Sequence, residues 1–285
     1  MKHNIKNFFK KILPKSLWNF LRHHRAILRD RATNFGSAQC HIPYRGYDLC
    51  YTAGTILIKK IRNEKIFEEK MCKAIEAELS LHNQPVFADI GANIGLISLY
   101  ILSKLPQARI YAFEPGPSQN EQFRRTIARN GLEKSVTLSN YALGEKSGTV
   151  NFFTHFSPDS SGDGFMDTGR AGEPISITVP MISFDEWWAK TGKPRISVMK
   201  IDTEGAELLV LRGASHVLKE LRPVIYLEIE PKNLRVYSYS RNDILKWFFE
   251  DHAYTLHTLD GELCTTENFE KFIGHYDTYV ARPKI

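Results

Sequence analysis

The chain has 285 residues, of which 42% are hydrophobic and 25% charged, a composition typical of a globular protein. This composition argues against a disordered, collagen-like or coiled-coil chain, and no apolar run approaches the roughly 20 residues of a membrane-spanning helix. The four cysteines are scattered without paired spacing, which argues against a zinc site and a disulfide scaffold and favours a reducing compartment.

The formal net charge of +6 is concentrated at the N-terminus. Residues 1–31 carry nine Lys and Arg residues and one acid, so the rest of the chain is nearly neutral, which argues against nucleic-acid binding. Apolar residues from Ile5 to Leu13 follow helical spacing. We therefore predict a basic amphipathic helical arm over residues 1–33. It either contacts an anionic membrane surface or packs on the protein or on a second subunit.

Residues 34–84 are predicted to form a connector with short strands and a helix at about 64–82. In residues 85–285, strands alternate with helices, a pattern typical of βαβ units and a parallel sheet. The predicted strands are Val86–Ile90, Arg109–Phe113, Val136–Ser139, Gly148–Phe153, Ile175–Met181, Ser197–Ile201, Val224–Ile229, Tyr254–Leu259 and Tyr276–Ala281. The predicted helices are Ile94–Leu105, Pro117–Asn130, Phe184–Lys190, Ala206–Arg212 and Ser240–Phe249. Ser, Gly and Asp dominate the stretch His155–Pro174, which predicts a functional or disordered loop.

Ligands of open α/β sheets bind beyond the carboxyl ends of the strands, where this sequence places glycines and acids. The first strand leads into a glycine loop, Asp89–Gly95, whose glycines permit close backbone approach to a ligand. Glu114 follows the second strand and is suited to accept hydrogen bonds from both hydroxyls of a ribose. The loop has GxxxG spacing rather than the dinucleotide GxGxxG. Asp89 would repel a pyrophosphate but attract a sulfonium and an α-amino group, which favours S-adenosylmethionine over NAD.

Four motifs carry a family resemblance: Asp89–Gly95 (DIGANIG), Tyr111–Pro115 (YAFEP), Ala142–Gly144 (ALG) and Lys200–Glu207 (KIDTEGAE). Together they resemble the FkbM family of S-adenosylmethionine-dependent methyltransferases over about residues 85–230. The resemblance implies an α/β, class I methyltransferase Rossmann-like fold. That fold has a seven-stranded, mostly parallel sheet with helices on both faces and an antiparallel last strand. The resemblance also implies O-methyl transfer to hydroxyls of polyketides, sugars or glycolipids.

The residues at the strand ends could contact the cofactor or could serve the local structure alone. The expected cofactor contacts are Asp89, Gly91, Asn93, Gly95, Glu114, Asn140 and Asp202. Asp89 and Asp202 have a second interpretation as helix caps, and Gly91 and Gly95 as plain turn glycines. We expect Gly91→Val to abolish donor binding while leaving the fold intact.

An alcohol must lose its proton as it accepts a methyl group, and a nearby carboxylate is suited to take that proton. Asp202, after the fourth parallel strand, is the first choice for this base, with Glu204 and Glu228 in reserve. No compact set of metal ligands is apparent in the sequence.

The sequence thus predicts a cytoplasmic O-methyltransferase acting on a hydroxyl of a carbohydrate, lipid-linked sugar or natural product, with residues 1–31 able to hold it at the inner membrane face. The alternatives are a nucleic-acid or other N-methyltransferase and a non-catalytic binding module of the same fold. IDTEG stands where base-amino methyltransferases carry an Asn/Asp-Pro-Pro-aromatic signature, which disfavours the first alternative. The intact set of strand-end residues disfavours the second.

Overall fold

The computed structural model describes residue 28 and residues 39–55, 57–64, 66–155, 162–169 and 173–284. The predicted N-terminal arm lies outside these residues except for Leu28, so its helix, its membrane contact and its role in a dimer stay predictions. Within the described part of the chain, no helix combines the length and the apolar character needed to cross a bilayer.

A mixed sheet of eight strands forms the centre of the described chain. In spatial order its strands are β12 (Leu263–Cys264), β11 (Tyr254–Thr258), β13 (Thr278–Pro283), β10 (Val224–Glu228), β9 (Val198–Ile201), β3 (Val86–Ile90), β4 (Arg109–Phe113) and β5 (Val136–Ser139). The strands from β10 to β5 are parallel, and β13 runs antiparallel to both β10 and β11. The predicted α/β fold with its antiparallel last strand is therefore present. The eighth strand, β12, was not predicted because two residues carry no periodic pattern.

Nine α-helices occur in the described residues. They are α1 (Leu57–Glu64), α2 (Glu69–Leu79), α3 (Leu96–Lys104), α4 (Pro117–Asn130), α5 (Phe184–Lys190), α6 (Glu207–Gly213), α7 (Ser215–Leu221), α8 (Pro231–Leu234) and α9 (Arg241–Lys246). A π-helical turn, Trp247–Asp251, continues α9, and a 3₁₀ turn covers Phe269–Lys271. The helix predicted at 64–82 is wrong as a single element. Glu68 adopts a left-handed φ of 48°, which no α-helix accommodates, so α2 begins only after it.

Both faces of the sheet are covered, as expected for strands that are apolar throughout. In β3, Ala88 and Ile90 face a core built with α5, α6 and α7, while Phe87 faces a second core built with α2, α3 and α4. All four residues of β9 are buried. Because the strands themselves are buried on both faces, the polar residues that follow them are placed at the carboxyl edge of the sheet.

Two smaller sheets flank the central one. The hairpin of β1 (Gln39–Tyr44) and β2 (Tyr47–Thr52) packs on α4, where Cys50 N donates to Thr126 Oγ1 at 2.9 Å and Thr52 N to Gln122 Oε1 at 2.8 Å. The other sheet has the order β6 (Ala142–Leu143), β8 (Pro174–Ile182), β7 (Gly148–His155). The proposed division of the chain at residues 34 and 85 stays a prediction.

The predicted loop His155–Pro174 connects β7 to β8, and its residues 156–161 and 170–172 lie outside the described part. Its described piece, 162–169, turns back toward the central sheet. Gly164 and Phe153 exchange two backbone hydrogen bonds there, with N–O distances of 2.8 and 3.1 Å. This contact brings Asp163 and Phe165 to the carboxyl edge of the parallel strands.

Candidate active site

The carboxyl ends of β3, β4, β9 and β10 open into one cavity of about 270 Å³, here called the strand-end cleft. Its described wall contains seven carboxylates against two lysines. The carboxylates are Glu68, Glu114, Asp163, Asp202, Glu204, Glu228 and Asp277, and the lysines are Lys60 and Lys200. Apolar side chains, Ile90, Phe113, Leu143 and Phe165 among them, complete the wall. A cleft lined by one sign of charge attracts ligands of the opposite sign, so this cleft is suited to a cation.

Gly91 has no side chain at a point where the loop after β3 contacts the loop after β9. Its φ is 76°, and a Cβ there would lie 1.8 Å from the backbone oxygen of Asp202. Gly91 and Asn93 both line the cleft, and their predicted contact with a cofactor stays a prediction. The expectation that Gly91→Val would spare the fold is wrong, because any side chain at this position must push the β9 loop away.

Gly95 serves packing in this structure. It is the N-cap of α3 with a φ of 86°, and a Cβ there would meet the ring of Phe123 from α4 at 2.3–2.6 Å. Gly95 is not part of the described wall of the cleft. The contact between α3 and α4 therefore explains why a glycine stands at position 95.

Asp89 lies beneath the cleft, fully buried, and is not part of its described wall. Its Oδ2 accepts a hydrogen bond from Ser98 Oγ at 2.6 Å, within α3, so it does not act as the helix cap that was its alternative role. Its Oδ1 lies 3.7 Å from Lys200 Nζ and has no hydrogen-bond donor among the described residues. Lys200 is therefore the cation that compensates this buried carboxylate.

Lys200 joins the two loops that form the floor of the cleft. Its ammonium donates to Gly91 O at 2.8 Å and pairs with Asp202 Oδ2 at 3.1 Å. Burial of the ammonium would lower the pKa of Lys200, but the carboxylates of Asp202 and Asp89 outweigh it and raise the pKa. The side chain therefore stays charged and holds Asp202 in place.

Glu114 stands at the end of β4 with 7% of its surface exposed. Its Oε2 accepts from Asn93 N at 2.8 Å and its Oε1 from Gly116 N at 2.7 Å. Burial raises the pKa of Glu114 to about 7, although these two hydrogen bonds favour the charged form. A carboxylate has about four acceptor positions, so two remain for hydroxyl groups of a ligand in the cleft.

At the end of β5, the residues that line the cleft are not the one that was predicted. Asn140 is exposed and is not part of the described wall, whereas its neighbours Tyr141 and Ala142 are. Asp163 also lines the cleft and was not predicted from the sequence; its Oδ2 accepts from Thr154 Oγ1 at 2.7 Å and from Gln119 Nε2 at 3.2 Å. The only sequence signal for it was the unusual length and composition of its loop.

Asp202 lies on the wall of the cleft with 32% of its side chain exposed. It does not cap the following helix, because α6 begins later, after Ala206. The turn is organised instead by Glu207, whose Oε1 accepts from Thr203 N, Thr203 Oγ1 and Gly205 N at 2.9–3.1 Å. This role of Glu207 was not predicted from the sequence, because an acid in the first turn of a helix is commonplace.

The two reserve carboxylates, Glu204 and Glu228, share one partner. Asn233 is 1% exposed and donates through Nδ2 to Glu204 Oε2 at 2.8 Å and to Glu228 Oε2 at 3.2 Å. Asp202, Glu204 and Glu228 therefore all face the cleft, but only Asp202 is paired with Lys200. No cluster of His, Cys, Asp and Glu side chains in the described ranges has a geometry suited to a metal ion.

The strand order and the acidic strand-end cleft define a class I methyltransferase fold. The match to a family model agrees: residues 89–256 match the Methyltransferase FkbM domain, which is more than half of the chain. The chain belongs to this family and is a methyltransferase.

Several characterised proteins are similar to it. Methyltransferase sdnD of Sordaria araneosa is 31% identical over 62% of this chain and 79% of its own length. Hexuronic acid methyltransferase AglP of Haloferax volcanii is 29% identical over 52% of this chain and 59% of its own length. The 2-O-methyltransferase NoeI of Sinorhizobium fredii is 26% identical, with coverages of 53% and 65%.

Solved structures also match. Methyltransferase FkbM from Methylobacillus flagellatus is 16% identical, with a TM-score of 0.42 over 69% of this chain and 42% of that chain. A methyltransferase from Geobacter sulfurreducens is 13% identical, with a TM-score of 0.43 over 80% of this chain and 87% of that chain.

Proposed function

We propose that this protein transfers a methyl group from S-adenosylmethionine to a hydroxyl oxygen of a carbohydrate, lipid-linked sugar or natural product. The observation that carries the proposal is the acidic strand-end cleft with Asp202 on its wall. The donor, when bound, supplies an electrophilic methyl group on a sulfonium, and it carries a second positive charge on its α-amino group. The donor's own carboxylate leaves it with a net charge of +1, and a cleft wall of seven carboxylates against two lysines suits such a cation and would disfavour an anionic dinucleotide.

The residues of the cleft fit this donor at two places. Glu114 lines the cleft and has two further acceptor positions beyond its two backbone hydrogen bonds, a number that matches the vicinal hydroxyls of a ribose. The backbone at Gly91 and Asn93 comes to the cleft surface without an intervening side chain at Gly91. Asp89 and Gly95 would act indirectly, through Lys200 and through the packing of α3 on α4.

The chemistry requires a proton acceptor beside the reacting hydroxyl. As the new oxygen–carbon bond forms and the carbon–sulfur bond breaks, the hydroxyl proton passes to a carboxylate, for which Asp202 is the first choice. Lys200 fixes its Oδ2 at 3.1 Å, so the base is positioned before the acceptor arrives. Glu204 and Glu228 are held by Asn233 and are the reserve bases.

The names of two relatives support the acceptor class. NoeI is named a 2-O-methyltransferase, and AglP is named a hexuronic acid methyltransferase. One name thus specifies methyl transfer to oxygen and the other a sugar acid as substrate, and each supports one part of the proposed acceptor class.

The test is methyl transfer from labelled S-adenosylmethionine to a panel of hydroxylated acceptors. Asp202→Asn should keep donor affinity while lowering turnover by roughly 10²–10⁴. Asp251→Asn, an exposed position at the end of the π-helical turn, is the matched control and should change neither. Full turnover in Asp202→Asn would transfer the role of base to Glu204 or Glu228, and loss of donor affinity would make Asp202 a donor ligand.

A further inference from the structure

A second cavity adjoins the strand-end cleft, between the first turn of α2 and the start of β13; we call it the α2–β13 cleft. The residues that line both cavities are Glu68, Lys200, Asp202, Glu228 and Asp277. The side that belongs to the second cavity alone includes Glu69, Lys70 and Tyr276. The two cavities thus meet at a common wall that contains Asp202.

In-line methyl transfer needs the acceptor oxygen and the donor sulfur on opposite sides of the methyl carbon. A donor in the strand-end cleft and an acceptor in the α2–β13 cleft would approach each other at the residues that line both cavities. Asp202 lies at the junction, where the hydroxyl proton must leave. An acceptor that enters through the α2–β13 cleft would therefore bring its hydroxyl to Asp202.

The charge of the α2–β13 cleft limits which acceptors it takes. Its described lining holds five carboxylates and two lysines. The carboxylates are Glu68, Glu69, Asp202, Glu228 and Asp277. Lys70 is already paired with Asp260 at 2.5 Å, and Lys200 is buried between Asp89 and Asp202. Both cations are thus compensated by carboxylates. Glu69 is in turn paired with Lys73 at 2.7 Å, but acidic side chains still outnumber basic ones in the lining, so an anion entering this cleft would meet a net negative surface.

We propose that the α2–β13 cleft is the acceptor subsite and that it selects neutral or amino-bearing polyhydroxylated acceptors over carboxylate-bearing ones. This inference rests on the proposed function. A carboxylate on the acceptor would lose water and approach several like charges, and such juxtaposition is a common means of rejecting a wrong ligand. The protein would therefore differ in acceptor charge from AglP, whose name specifies a hexuronic acid.

The test uses three acceptors that share the same sugar ring but differ in charge: a neutral methyl glucoside, glucosamine with its amino group, and glucuronate with its carboxylate. With the full chain, we expect kcat/KM for glucuronate to be lower than for the neutral or amino acceptor by about tenfold or more. Glu69→Lys reverses the charge of an exposed residue that lines only the α2–β13 cleft, and it should narrow this ratio several-fold. Glu121→Lys, the same change on the exposed side of α4, is the control and should leave the ratio unchanged.

A steric variant tests the location independently of charge. Thr278→Trp, at the start of β13 and on the wall of the α2–β13 cleft alone, should raise the acceptor KM at least several-fold. Calorimetry on this variant should give unchanged donor affinity, which also checks that it folds.

Two results would overturn the inference and leave the proposed function standing. One is a kcat/KM for glucuronate equal to that for the neutral acceptor. The other is an acceptor KM that Thr278→Trp leaves unchanged in a folded protein. Failure of the wild-type chain to bind the donor or to methylate any hydroxyl acceptor would overturn the proposed function and the inference with it.

Discussion

Glu114→Ala is the change that most sharply probes the donor site. In the structure this carboxylate accepts two backbone hydrogen bonds at 2.7 and 2.8 Å, and we propose that its two further acceptor positions bind the donor ribose. Alanine removes charge-assisted bonds to the ligand and leaves Asn93 N and Gly116 N without their acceptor. The expected loss of donor binding energy is about 1–3 kcal/mol, which corresponds to a dissociation constant raised roughly 5- to 150-fold.

Isothermal titration of the full chain with S-adenosylmethionine, or with its demethylated product, measures this loss. Glu121→Ala, an exposed residue of α4, is the control and should bind like the wild type. Glu114→Gln adds a second measurement. Its amide must turn its NH₂ group toward one of the two backbone donors, so its affinity should also fall. Unchanged affinity in both folded Glu114 variants would refute the placement of the donor at the end of β4.

The remaining predictions concern protonation and support of the site. Because burial raises the pKa of Glu114 to about 7 and a cationic donor favours its charged form, donor affinity should fall by about tenfold per unit as pH drops below 7. Titrations between pH 5 and 8 measure this, and Glu114→Gln should remove the dependence. Burial likewise raises the pKa of Glu207 to about 7. Its contribution to stability is then complete below about 4.5, the ordinary pKa, and is lost as pH rises through 7. Glu207→Gln should flatten this part of the stability profile in urea titrations, and an unaltered profile would contradict the assignment. Lys200→Met should destabilise the fold by about 3–5 kcal/mol, since it leaves Asp89 buried without a cation. The unfolding midpoint in urea measures this, and a loss below 1 kcal/mol would contradict that role for Lys200.

The candidate site could be placed from the sequence at the edge where the strand-end cleft lies, because parallel strands bring their carboxyl ends to one edge. Asp202 and Glu114 were found in this way, each from its position directly after an apolar strand. Glycines were harder to interpret. The same motif holds Gly91, which permits contact with the β9 loop, and Gly95, which permits contact with Phe123. No spacing rule separates these two causes.

The parts that sequence reasoning missed depend on contacts between distant segments. Asp163 is held at the cleft by contacts with distant segments, among them the bonds between Gly164 and Phe153 of β7, and no local pattern specifies these contacts. Glu207 lies where an acid ordinarily stabilises a helix terminus, yet here its side chain folds back to hold the turn after Asp202. The helix break at Glu68 could not be predicted either, because the helical spacing of apolar residues continues across it.

The central claim is that the cleft performs methyl transfer to oxygen, and the nature of the new bond tests it most directly. The full chain would be incubated with S-adenosylmethionine carrying a ¹³C-labelled methyl group and with an amino sugar, which offers hydroxyl and amino acceptors in one molecule. Carbon NMR of the product then distinguishes a methyl ether from a methylamine. The account predicts a labelled methyl ether whose formation is lost in Asp202→Asn; a labelled methylamine, or label that stays on the donor, would contradict it.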